Sequence, residues 1–75
     1  MIEIDLRVLP PFERHTKIFE AWAKLAVGDK IKLINDHSPK PLYYQFDVEE
    51  KDKFDWKYLE EGPTDWIFEI TRIKK

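Results

Sequence analysis

The chain has 75 residues, a net charge of −2, 43% hydrophobic residues and no cysteine. That length fits one domain, spanning 1–75, with a core that removes only about 60% of the unfolded chain's surface from water. Disulfides, thiolate metal sites and thiol nucleophiles are excluded, and no apolar run approaches the ~20 residues of a membrane span.

Acidic and basic residues are interleaved, and only Arg72, Lys74 and Lys75 form a locally basic stretch. A nucleic-acid partner is not expected, because binders of that kind carry a basic stripe. The start, Met1-Ile2-Glu3-Ile4-Asp5, lacks the basic-then-apolar pattern of a secretion signal. A cytoplasmic protein is expected.

Ile2, Ile4 and Leu6 alternate with Glu3, Asp5 and Arg7. Period two predicts a strand with one buried face, ended by Pro10 and Pro11, since proline cannot donate to a ladder. From about His15 the apolar residues Ile18, Ala21, Trp22 and Leu25 fall at helical spacing. Phe19 and Ala26 widen that stripe, and Gly28 reads as the helix stop.

Lys30 to Asn35 reads as a second strand, with Ile31 and Leu33 on one face. A second helix is predicted from about Pro39 to Glu50, with proline tolerated in its first turn. Leu42, Tyr43 and Phe46 would share one side of it. Of the adjacent pair Tyr43 and Tyr44, one is expected in the core and one on the surface. Phe54, Trp56 and Tyr58, then Trp66, Phe68 and Ile70, form two alternating runs around a Gly62-Pro63 turn. They read as an antiparallel hairpin.

The order is β-α-β-α-β-β. Each strand gathers its apolar residues on one face and charge on the other, including Glu3, Asp5, Lys57 and Glu69. This predicts an α+β fold: a two-layer α/β sandwich, with two helices on one face of a mixed four-stranded sheet. Trp56, Tyr58 and Trp66 fall on the apolar face and read as core.

A strand-helix-strand unit makes its two strands parallel, so the loops after the first two strands rise from one edge. Residues 8–14 and 35–39 should therefore lie side by side, each feeding a helix N-terminus with unpaired N–H groups. Arg7, Glu13, Arg14, His15, Asn35, Asp36 and His37 collect on that rim. The two histidines are expected close together there.

Three readings of the rim stay open. His15, Asp36 and Ser38 can be ordinary helix caps. Helix N–H groups with Arg7 or Arg14 can hold a small anion. His15, His37 and Asp36 can ligate a divalent metal, since neutral imidazole is a ligand.

Three groups of residues carry a family resemblance. The opening run is Ile4-Asp5-Leu6-Arg7-Val8-Leu9-Pro10-Pro11-Phe12-Glu13-Arg14-His15, followed by Ile18-Phe19. The centre is Asn35-Asp36-His37 with Pro39 and Pro41-Leu42-Tyr43-Tyr44-Gln45. The late residues are Trp56, Tyr58, Glu61-Gly62-Pro63 and Trp66. Together they resemble an uncharacterised prokaryotic family known as a domain of unknown function.

That family is similar in fold to the TusA/SirA sulfur carriers, and its members often sit beside hemerythrin-like, cupin or nitrogen-oxide-related domains. The resemblance implies a role near redox or nitrogen-oxide metabolism. The carriers hold a persulfide on a Cys-Pro-X-Pro cysteine at the start of the first helix. Here the equivalent stretch is Leu9-Pro10-Pro11, and with no cysteine sulfur carriage is excluded.

Two functions are then expected to compete. One is a non-catalytic module, monomeric or weakly dimeric, that binds a small ligand, metal or partner protein at the rim. The other is an enzyme with a histidine-bound metal on the same rim.

Overall fold

A computed structural model describes residues 2–75. The elements are β1 (Ile2–Asp5), a 3₁₀ turn (Leu6–Val8), α1 (Pro11–Ala23), β2 (Lys30–Asn35), α2 (Lys40–Glu49), β3 (Phe54–Glu61) and β4 (Trp66–Arg72). They form one four-stranded sheet in the order β1-β2-β4-β3. β1 and β2 are parallel, and β2–β4 and β3–β4 are antiparallel. This is the α+β arrangement that the alternation predicts.

Register explains the two faces. Ile4 sits beside Leu33, Leu33 beside Phe68, and Phe68 beside Tyr58. Ile31, Ile70 and Trp56 form the next row. Against these rows pack Ile18 and Trp22 of α1 and Leu42 and Phe46 of α2, all buried. Both helices therefore cover the same face, and Phe19 stacks on Phe46 where they meet, with ring centroids 4.9 Å apart.

The opposite face carries a register row of alternating sign, Glu3–Lys32–Glu69–Lys57. Glu3 and Lys57 are exposed, as the pattern predicts. Glu69 and Asp5 are half-buried instead. Glu69 folds against Lys30, with Nζ to Oε1 at 3.3 Å. Pairs of this kind on a wet face are worth little to stability.

Several boundaries differ from the sequence reading. β1 ends at Asp5, before the prolines, because the Asp5 carboxylate accepts from the Arg7 backbone N–H at 3.0 Å and turns the chain. α1 starts at Pro11 rather than near His15. Proline at the first helical position gives up a donor that has no partner there anyway. α1 also stops at Ala23, well short of Gly28. Gly28 instead turns the chain into β2 at φ 95°, and its N–H donates to the Arg72 carbonyl at 2.7 Å.

The second glycine closes the β3–β4 turn. Gly62 holds φ 72°, and a Cβ there would meet the Trp66 ring at 2.8 Å. Only glycine meets both constraints without strain.

Candidate functional site

The rim forms as expected in its main chain. The loops after the parallel strands β1 and β2 rise together at one edge of the sheet. His15 and His37 line the same small cavity, along with Leu6, Arg14, Asn35 and Ser38.

Arg14 organises this rim from inside α1. Residues 14, 18 and 22 share one helix face, so Arg14 extends the buried stripe of Ile18 and Trp22 and is itself only 9% exposed. A buried guanidinium needs hydrogen-bond partners, and here each of its three nitrogens has one. Nε donates to the Leu9 carbonyl at 3.1 Å, and Nη1 to Asn35 Oδ1 at 3.0 Å. Nη1 and Nη2 then fork onto the Asp36 carboxylate at 3.0 and 3.3 Å. Arg14 is thus a clasp between the two loops.

Asp36 also accepts from His37, with Nδ1 to Oδ1 at 2.7 Å. A carboxylate offers no proton at neutral pH, so Nδ1 carries the hydrogen. Neither Asp36 nor Ser38 caps α2. Pro39 occupies the cap position, no side chain bonds the helix start, and the Ser38 hydroxyl is buried without a partner.

Arg7 is not part of this cavity. Nε and Nη2 grip Asp5 at 2.9 and 2.8 Å, and Nη1 reaches Asp65 at 3.1 Å. Asp5 belongs to the charged face, opposite the helices. Glu13 is exposed on α1, away from the cavity. Of the seven residues expected on the rim, the structure gathers Arg14, His15, Asn35 and His37 around the cavity, with Asp36 bonded to two of them.

Both arginines expected to hold an anion are thus engaged with carboxylates. Among the described residues, no three His, Asp or Glu side chains converge as a shared metal ion requires. His15, His37 and Asp36 do not form such a set, and the Asp36 carboxylate is held by Arg14. The cavity itself measures about 50 Å³, room for one or two waters at about 30 Å³ each.

The clasp has a pH signature. The Arg14 guanidinium, helped by His37, holds the Asp36 carboxyl down to about 2, from an ordinary 3.8. A group whose folded value is depressed adds stability above its unfolded value and loses it as pH falls toward the folded one. The urea midpoint should therefore drop between about pH 4 and pH 2. The Asp36→Asn variant should show a shallower drop over that window, and matching slopes would refute the clasp.

A much larger concavity lies elsewhere, and the sequence reading missed it. Between α2 and β3 runs an open groove of about 650 Å³. Its walls are Tyr43 and Tyr44 of α2 and Phe54, Trp56 and Tyr58 of β3. Its charged groups are Lys40, Asp47, Asp52 and Asp55.

The expectation of one buried tyrosine fails here. Tyr43 is 36% and Tyr44 61% exposed. Tyr43 stands edge-on to Phe54 at 5.9 Å and to Trp56 at 5.2 Å, so it roofs the groove rather than filling the core. Trp56 turns its other side to Phe68, stacked at 4.7 Å, and its indole N–H is buried without an acceptor. Burial raises the Tyr58 phenol above its ordinary value. Trp56, Tyr58 and Trp66 are all half-buried rather than enclosed; Trp56 and Tyr58 pack against the core, and Trp66 meets Tyr58 edge-on at 6.3 Å.

No helix among the described residues is long and apolar enough to cross a membrane. No curated protein and no solved structure matches the chain. Residues 3–72 match the model of a family described as an uncharacterized conserved protein (DUF2249), and the chain belongs to that family.

Proposed function

We propose that this DUF2249 member is a small cytoplasmic binding module without catalysis of its own, and that it binds in the α2–β3 groove rather than at the histidine rim. The single observation that carries this reading is the contrast in space. The groove offers about 650 Å³ of aromatic wall, and the rim cavity about 50 Å³. Ligand sites are commonly apolar concavities of roughly 300–1,000 Å³ with a few polar groups. The groove fits that description.

Its lining also favours binding over chemistry. It presents rings, three carboxylates and one ammonium, with no histidine, serine or threonine among the lining residues. The hydroxyl–imidazole pairing of the common hydrolases has no members to draw on there. The β-α-β-α-β-β order supports a TusA/SirA-like fold, and the family likeness supports a place near redox or nitrogen-oxide metabolism. Without cysteine, the module would work in such a setting by recognition, not by sulfur transfer.

Amide NMR of the labelled protein tests the location. A small-molecule fragment library should shift signals of residues 40–47 and 52–58. Shifts confined to residues 15 and 35–39 would move the site to the rim. No shift in either region would overturn the binding-module reading.

A further inference from the structure

Building on the groove as the binding site, we infer that its occupant is a basic peptide segment, extended along the free edge of β3 with a lysine or arginine side chain laid into the groove. Charge comes first. The groove carries Asp47, Asp52 and Asp55 against one cation, Lys40. An acidic or neutral ligand would meet an excess of negative charge, and a cationic one would be matched.

The aromatic walls select the same chemistry. Tyr43 meets Tyr44, Phe54 and Trp56 edge-on, at interplanar angles of 73°, 79° and 87°. Ring faces carry negative potential and attract ammonium and guanidinium groups within about 6 Å. The alkyl stem of a lysine or arginine packs on such rings while its head reaches the carboxylates.

The edge strand favours a peptide over a free amine. β3 is the last strand of the sheet, and its eight residues pair with β4 on one side alone. The other side has no strand partner among the described residues, the feature that extended peptides use when they add a strand. Two further apolar side chains on the same two elements are exposed. Val48, one turn beyond Tyr44, is 81% exposed, and Leu59, at the irregularity in β3, is 45% exposed. A peptide of several residues can cover more than one such side chain, and a single amine cannot.

The test uses a fluorescein-labelled octapeptide of alternating lysine and valine, a matched glutamate–valine octapeptide, and spermidine. Fluorescence anisotropy should show the lysine peptide binding at least tenfold tighter than the glutamate peptide. The triple variant Asp47→Asn, Asp52→Asn, Asp55→Asn should weaken it at least tenfold. Asparagine tolerates the left-handed backbone at Asp52 (φ 64°), so the triple variant should keep its fold, with thermal melting as the check.

Amide signals of residues 54–61 should shift on binding. Equal binding of the two peptides, or unchanged binding by the triple variant, would overturn the inference. Displacement of the peptide by spermidine at equal concentration would overturn it in favour of a small-cation site. If uncharged fragments shift the groove signals while the lysine peptide moves none, the basic-peptide inference falls and the binding module stands. If neither moves them, both fall.

Discussion

Trp22→Ala should destabilise the protein by about 3–5 kcal/mol, the range for truncating a buried large aromatic. Trp22 is 2% exposed and sits where α1, α2 and the end of β4 converge. Its ring meets Phe46 edge-on at 5.1 Å. Its indole N–H donates to Glu50 Oε1 at 2.7 Å, at the end of α2. The Arg72 guanidinium lies over the ring at 4.9 Å, and Arg72 Nη1 also donates to the Trp22 carbonyl at 2.8 Å.

Truncation therefore opens a cavity, strands a carboxylate and removes a cation–π contact at once. A chain of 75 residues has little margin to absorb that loss. Urea or thermal unfolding should show most of the variant unfolded at 37 °C. A midpoint within a few degrees of wild type would mean that the core does not close on Trp22. Trp22→Phe should recover much of the loss, because the packing returns although the bond to Glu50 does not.

Where one periodicity was clean, the sequence was enough. β2 falls on Lys30–Asn35 because Ile31 and Leu33 alternate with Lys30 and Lys32, and no other pattern competes. The hairpin follows from two alternating runs around Gly62. The start of α1 was obscured because Pro10 and Pro11 read equally as strand terminators and as a helix entry. The role of Arg14 was written in the spacing 14, 18, 22, but a charge at the head of an apolar stripe is easily taken as its polar boundary.

The groove was harder to find, for a topological reason. A hairpin pattern does not say which of its two strands pairs with β2. Had β3 taken the inner place, Phe54, Trp56 and Tyr58 would lie under both helices as ordinary core. In the order β1-β2-β4-β3 they reach the open edge, where α2 covers them in part. The interleaved run Asp52-Lys53-Phe54-Asp55-Trp56 was the available hint, since three charges so close to two rings suit an edge better than an interior.

Arg14→Ala should cost about 1.5–3 kcal/mol, the range for hydrogen bonds made by a charged group. Three partners lose their donor together: the Leu9 carbonyl, Asn35 and Asp36. Asn35 is only 6% exposed, so its oxygen has no easy replacement from water. Arg14→Lys should recover only part of the loss, because one ammonium cannot reproduce the planar fork onto Asp36.

Stability alone would not separate a clasp from general packing, but pH would. Arg14 is the main reason that the Asp36 carboxyl titrates near 2. Without the guanidinium, that carboxyl should titrate closer to its ordinary 3.8. The folded and unfolded values then converge, and the acid decline between about pH 4 and pH 2 should flatten. Arg14→Ala and Asp36→Asn should show the same flattening, and the double variant should flatten the curve no further. An Arg14→Ala protein that is destabilised but keeps the wild-type slope would show that Arg14 acts by filling space, with the bridge to Asp36 contributing nothing to the joining of the two loops.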